Sequence, residues 1–363
     1  MGVELENFIK VWSLAIISFS YCFYISAKLP KGLFRLISLL PIFFLLIILP
    51  LNLSSFHLCG PTAFFLAWLA NFKLLLFCFD QGPLSPLPPN VFHFISMASL
   101  PIKTKQNHQN IKKNENPCQN EAIPSEKSPG FAKTRQSMSH VPKPFLLAVK
   151  ASLLAIFFHS YNYKQHLNKN VILAMYCLHT YLELEIVLAL AALPTRAIFG
   201  FEIEPQFNDP YLATSLQDFW GHRWNLMVPS ILRPTVYHPI RRMSTRIVGA
   251  NWVSLPAVIA VFVVSGLMHE LIYYYLTRAY PTWEVTWFFI LQGVALAVEV
   301  AVKKVVPEKW RLHRAVSGPL ALGFVAVTGV WLFFPQLLRS RADEKVIGEY
   351  NMLVDFVKDV LSL

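Results

Sequence analysis

Eight apolar stretches, each close to the length of one helical crossing of a bilayer, constrain this chain more than any other feature. They fall near residues 8–26, 34–53, 60–79, 145–161, 170–193, 253–276, 283–301 and 316–338. A helix of about twenty mostly apolar residues matches the hydrocarbon thickness. Inside lipid the backbone must satisfy its own polar groups, and a helix does so within one segment. Only 15% of the 363 residues are charged and 55% are hydrophobic, where a soluble domain carries about 25% charged residues. The expected fold class is therefore all-α, a polytopic transmembrane helical bundle. Further apolar patches within 194–252 read as re-entrant or interfacial helices and put the expected count at eight to ten.

Charge placement orients the bundle. The connections after the first, third, fifth and seventh stretches must share one face. They carry Lys28, Lys31 and Arg35, then eight Lys/Arg against three Glu between Lys103 and Lys143. After these come Arg223, Arg233, Arg241, Arg242 and Arg246, and finally Lys303, Lys304, Lys309, Arg311 and Arg314. Basic loops stay cytosolic, which places these four connections there; Arg339 and Arg341 dissent on the other side. The net charge of +11 is thus confined to loops. That suits membrane lipids or an anionic substrate, and no basic stripe with interleaved aromatics suggests a nucleic-acid partner.

Four regions follow: N-terminal membrane helices over 1–80, a cytosolic loop over 81–144, a membrane core over 145–338 and a tail over 339–363. Within the loop, 103–143 is rich in Asn, Gln, Lys, Ser and Pro and reads as a disordered linker. The five cysteines (Cys22, Cys59, Cys78, Cys118, Cys177) form no CxxC pair, which argues against a zinc site or disulfide framework. MGVELENFIKVW lacks a basic n-region and a cleavage site, so the first stretch reads as a retained anchor.

Two places concentrate chemistry. The segment 210–242 packs Asp218, His222, Arg223, Asn225, Arg233, His238, Arg241 and Arg242 among Trp220, Trp224, Tyr211 and Tyr237. Rings with arginines suit a membrane–water interface; the same set also suits a mouth that receives a phosphate-bearing donor. His269-Glu270 lies deep inside VFVVSGLMHELIYYYLT. An ionisable residue at such depth costs roughly 2.5–3.5 kcal/mol on insertion scales and so faces a cavity or a partner. Histidine is also the side chain suited to taking a proton near neutral pH. Glu270 sits about 100° around the helix from His269 and is expected to pair with another helix or the membrane interface. Of Glu183 and Glu185, on nearly opposite helix faces, at most one is expected to share a cavity with His269, and Glu299 reads as an i,i+4 partner of Lys303. The sequence has no GxSxG elbow, P-loop, GxGxxG or HExxH.

At these residues the sequence resembles the plant wax synthase-like acyltransferases of the membrane-bound O-acyltransferase superfamily. The resemblance rests on FCFDQGPLSPLP at 77–88, EPQFNDPYLATSLQDFWGHRWNLMV at 204–228, ILRPTVYHPIRR at 231–242, VVSGLMHELIYYYLTR at 263–278 and GVWLFFPQLLR at 329–339. At His222 the family pattern usually has Arg. The resemblance implies an endoplasmic reticulum enzyme that moves an acyl group from acyl-CoA to a lipid alcohol acceptor. Members of the family use long-chain alcohols, sterols or diacylglycerol, the last with acetyl-CoA in one branch. A wax ester is the expected product, with acyl-CoA as co-substrate and no cofactor. Carried over by motif, the catalytic positions are His269 and Asn225. Asp218, Trp220, Arg223, Trp224, Arg241 and Arg242 are the expected substrate contacts, with the arginines on the CoA phosphates. A straight helix from Val253 puts His269 roughly 24 Å from the cytosolic end. Asn225 therefore meets it only if its segment dips into the bilayer or a tunnel joins them.

Overall fold

The computed structural model describes residues 2–101, 143–199, 205–249 and 251–361; 103–142 of the expected linker and Cys118 lie outside them. Every regular element among the described residues is helical. Seven helices are long and apolar enough to cross a membrane: α1 (Gly2–Ser26), α2 (Leu33–Asn52), α3 (Phe56–Cys78), α6 (Lys169–Phe199, its apolar part Lys169–Ala191), α8 (Ser254–Thr277), α9 (Glu284–Val305) and α10 (Arg314–Arg339). The fourth expected stretch lies in the shorter apolar helix α5 (Lys143–Tyr161). Beyond the end of α6, the described residues of 194–252, read as re-entrant or interfacial, hold only short helices, none long enough to cross. That segment ends in α7 (His238–Val248), whose Arg241, Arg242 and Arg246 suit an interfacial surface. A last helix, α11, covers Ala342–Leu361.

The loop that follows α3 is more ordered than its composition suggests. Asn90 caps the short helix α4 (Val91–Ser99) by accepting the His93 N–H at 2.8 Å. The fully buried Lys73 closes its other end, donating to the carbonyls of Met97 at 2.7 Å and Leu100 at 2.6 Å. A lysine inside an apolar stretch is tolerated here because two carbonyls of a helix end replace its water.

Ion pairs sort onto two faces, as the charge pattern requires. At the basic face, expected to be cytosolic, Arg35 binds Asp80 at 2.8 Å and the Leu29 and Phe77 carbonyls at 3.0 Å, and Lys303 binds Glu299 at 2.5 Å. At the far face Glu4 accepts from the Ser54 and Ser55 N–H groups, and Arg278 donates to the Leu51 and Leu53 carbonyls. Arg339, which dissented from the charge rule, is paired there with Glu284, so its charge is neutralised on its own side.

Helix α3 is the hub: 78% of its apolar window is buried, against 17–44% for the other spans. It packs α1, α2 and α4 through Phe19, Leu39, Leu66, Leu74 and Phe94. Helices α8 and α9 lie against each other through small residues. A Cβ on Gly266 would stand 3.0 Å from the Thr286 Cα, and one on Gly293 would stand 2.7 Å from the Phe262 Cβ. Such close approach is how membrane helices gain dispersion energy when lipid offers no hydrophobic drive. Glu270 seals the pair by accepting from the Thr286 N–H and hydroxyl, both at 3.3 Å; it pairs with another helix, as expected. Gly293→Leu should therefore destabilise the bundle by about 1–3 kcal/mol through overpacking. A lowered melting temperature of the detergent-solubilised protein would show it; an unchanged one would mean the helices do not touch there.

Candidate active site

One cavity of about 1080 Å³ runs through the bundle, and both His269 and Asn225 line it. Its wall is drawn from α3, α6, α8, α9, α10 and the segment between Pro210 and His238. Four stretches of that wall are π-helical: Phe64–Ala70, Phe219–Arg223, Arg233–Tyr237 and Gly329–Phe333. A π-turn fits one more residue per turn than an α-helix, which widens the coil and re-aims side chains, and such bulges gather at functional sites. Each of the four contributes lining residues, among them Trp68, Trp220, Arg233 and Phe333.

His269 stands within α8, and its Nδ1 lies 2.7 Å from the Ser265 carbonyl oxygen. A carbonyl only accepts, so Nδ1 carries the hydrogen and donates. In the neutral ring this leaves Nε2 as a bare lone pair. Three aromatic rings fix the imidazole: Phe289 stacks at 4.1 Å and 28°, Trp68 meets it edge-on at 5.1 Å, and Phe333 lies at 6.0 Å. These rings come from α9, α3 and α10. None carries a sequence signal beyond being an apolar residue in a span, so the sequence did not disclose them.

Asn225 is placed by the turn that ends the FWGHRWN motif. The π-helical bond from the Trp224 N–H to the Phe219 carbonyl, at 2.9 Å, closes the motif's last turn, and Asn225 then takes a left-handed φ of 37°. Asparagine is among the few side chains that tolerate this region. Its Oδ1 is buried with no hydrogen-bond partner. A buried amide oxygen left unpaired costs on the order of 1–3 kcal/mol, so the loop holds an acceptor ready for a donor that the cavity supplies.

The two aromatic rings expected to contact substrate line the same cavity. Trp220 donates its Nε1–H to Gln292 at 3.2 Å, and the fully buried Gln292 donates in turn to Thr328 at 2.8 Å. Trp224 stacks on Phe219 at 5.4 Å and meets Phe207 edge-on.

None of the four charged residues expected beside substrate is part of the cavity lining. Arg223 binds Asp218 at 2.7 Å and donates to the Asn208 and Asp209 carbonyls at 3.1 and 3.2 Å. Asp218 also accepts from the Thr214 N–H at 3.0 Å. Burial raises its pKa, but Arg223 and Thr214 outweigh that and hold the carboxyl below its usual range. Asp218 and Arg223 thus build the motif's turn and do not line the cavity. Arg241 and Arg242 are exposed on α7, also outside the lining. Arg233, His222 and His238 line it instead. His222, where the family usually has Arg, is exposed at this mouth with Nδ1 4.0 Å from Asp218. Glu183 lines the cavity and Glu185 does not, being bound to Lys150 at 2.5 Å. Glu299 pairs with Lys303 and also accepts the Leu216 N–H at 2.8 Å.

The model of the membrane-bound O-acyl transferase family matches residues 203–291, a stretch that holds both Asn225 and His269. The chain is 49% identical to probable long-chain-alcohol O-fatty-acyltransferase 1 of Arabidopsis thaliana, over 99% of its own length and 98% of that protein. It is 47% identical to the long-chain-alcohol O-fatty-acyltransferase of Simmondsia chinensis, over 99% and 97%. To acyl-CoA–sterol O-acyltransferase 1 of Arabidopsis thaliana it is 42% identical, over 98% and 97%. A multi-pass helical bundle, a cavity shared by the motif's asparagine and the deep histidine, and full-length likeness at this level lead to one assignment: the chain is an O-acyltransferase that belongs to the wax synthase-like branch of the membrane-bound O-acyltransferases.

Proposed function

We propose that this enzyme transfers a fatty acyl group from acyl-CoA to a long-chain alcohol and so makes a wax ester, in the endoplasmic reticulum membrane. The observation that carries the reading is the free Nε2 of His269 in the wall of a cavity that Asn225, with its amide N–H donors, also lines. Nε2 takes the alcohol proton as the alcohol oxygen attacks the thioester carbonyl carbon. The Asn225 Nδ2–H donates to the oxyanion that forms; one such bond is typically worth about 3 kcal/mol. The intermediate then collapses, the C–S bond breaks, and the proton on Nε2 passes to the departing CoA sulfur. Thiolate leaves readily, so no acyl-enzyme is required.

The cytosolic mouth suits the CoA phosphates. Arg233 lines it, and Arg241 and Arg242 follow on the exposed surface of α7. Arginine meets phosphate oxygens with paired donors. Arg233→Ala is expected to raise the KM for acyl-CoA about tenfold while leaving the KM for the alcohol within about twofold, from the loss of one charge-assisted pair. A shift in the alcohol KM of equal size would place Arg233 elsewhere in the cycle.

Support for the acceptor comes from the relatives named for long-chain alcohols at 47–49% identity, and the sterol acyltransferase at 42% makes sterol the second candidate. The deciding assay supplies microsomes containing the protein with acetyl-, palmitoyl- or oleoyl-CoA and a fatty alcohol, a sterol or diacylglycerol. Fatty alcohol with a long acyl-CoA should give the most ester. A predominance of sterol ester or acetyl-triacylglycerol would replace the acceptor, and no new ester from any pair would end the acyl-transfer reading.

A further inference from the structure

The cavity has a second polar end that the chemistry at His269 does not use. Glu183 of α6 lies between two imidazoles, with His57 Nε2 3.4 Å from one carboxylate oxygen and His179 Nε2 3.1 Å from the other. Neither nitrogen completes a hydrogen bond, although both are buried and His179 is only 6% exposed. The outer nitrogens are occupied: His57 Nδ1 meets Glu349 at 2.7 Å and His179 Nδ1 meets the Tyr161 hydroxyl at 3.1 Å. Glu349 also accepts from the Ser55 hydroxyl at 2.8 Å and from the Phe56 and His57 N–H groups at 2.6 and 3.1 Å, which ties α11 to the start of α3. Burial raises the Glu349 pKa, but these bonds overcome it and hold the carboxyl at about 2. That tie is complete without Glu183.

Glu183, His57 and Thr180 line the main cavity. Glu183 and Thr180 also border a side void of about 70 Å³ among Tyr161, Tyr176, His179 and Asp343, room for about two waters. This end sits well away from the base. A Cβ on Gly60 would stand 3.6 Å from the Leu276 side chain, which sets those two levels side by side. His57 is about one turn beyond Gly60 toward the far face, and His269 is seven residues from Leu276 toward the cytosol. Along the helix axes the two polar groups are therefore about 15 Å apart. Between them the lining is apolar, including Phe64, Trp68 and Ile272.

A methyl end pressed against Glu183 would strip the carboxylate of water and return nothing. A hydroxyl matches the cluster because it donates a hydrogen bond to the Glu183 carboxylate that borders the cavity. We propose that the His57–Glu183–His179 cluster binds the far hydroxyl of a long-chain diol whose near hydroxyl reacts at His269. The favoured acceptors are then α,ω-diols, and the product is a monoester that keeps one free hydroxyl. This inference rests on the acyl-transfer reading. The acyl group passes from the thioester sulfur to the near oxygen, the near proton goes through His269 to the CoA sulfur, and the far hydroxyl is unchanged.

The test uses microsomes containing the full chain, palmitoyl-CoA, and saturated alcohols and α,ω-diols matched in length over a series. For the wild type, kcat/KM for the diol should exceed that for the alcohol by about tenfold or more at the length that spans the two sites, the effect of one hydrogen bond to a charged group. Glu183→Ala should bring that ratio to about one, and so should His179→Phe, which keeps a ring against Phe158. Glu349→Gln, which loosens the α11 tie, should lower both acceptors alike and leave the ratio standing. Equal kcat/KM for diol and alcohol at every length would overturn the inference while sparing the acyl-transfer reading. A ratio that survives Glu183→Ala would overturn it as well. No ester from either acceptor would remove both.

Discussion

Replacing His269 by alanine is expected to cut ester formation by about 10²–10⁴-fold, the usual contribution of a positioned proton acceptor. The loss should fall on kcat, since the imidazole takes the proton only as the alcohol attacks, and the KM for acyl-CoA should barely move. The structure narrows which substitutions are informative. Nδ1 already donates to the Ser265 carbonyl and Phe289 stacks on the ring, so only Nε2 is available for chemistry. His269→Gln keeps an amide of similar reach and no basic nitrogen, and it should be as inactive as alanine. If either variant kept near-normal turnover with wild-type protein levels, His269 would not be the base.

Asn225 offers the second large effect, and its backbone makes the choice of variant matter. At a φ of 37° alanine would be strained, so Asn225→Ala mixes loss of the amide with distortion of the turn. Glycine accepts the left-handed region freely. Asn225→Gly should therefore keep the FWGHRWN turn and lose only the amide, lowering kcat about 10²–10³-fold as the loss of one oxyanion donor does. Asn225→Asp should be no better, because its carboxylate opposes the charge that develops. An Asn225→Gly enzyme with kcat within threefold of wild type would assign the amide to shape alone.

The spans were legible because hydropathy is a local property. Each of the eight expected stretches maps onto an apolar helix. The deep His269 was legible as well, since a charge-capable group in such a run has to have a reason. The partners of Arg223 were not legible. In the sequence it is a cation in a cluster of cations, which invites an anionic ligand, yet it lies five residues after Asp218, a spacing that an α-helix does not pair and a π-turn does. The π-turns themselves have no composition signal, so side chains such as Arg233 and Trp68 gave no sign of facing the interior. The rings around His269 come from helices far apart in the chain, and only the assembled bundle brings them together. Helix α4 was missed because the carbonyls that stabilise Lys73 lie two dozen residues further on.

The four π-turns carry a consequence for how this cavity can vary between related chains. Each turn holds one residue more than an α-helix of the same rise, so deleting a single residue would return that stretch to regular helix. The turn absorbs its extra residue locally, so the helix beyond would keep its place while side chains within the turn re-aimed by up to about 100° about the axis. For the turn at Arg233–Tyr237 this would swing the lining of the mouth away without touching His269 or Asn225. Room for substrate is therefore set in part by residue count in short stretches of wall: the count at Arg233–Tyr237 shapes the mouth alone, whereas Phe219–Arg223 places Asn225, and Phe64–Ala70 and Gly329–Phe333 carry rings that hold His269. Single-residue insertions and deletions there would resize the chamber in steps, whereas point substitutions would only trim it.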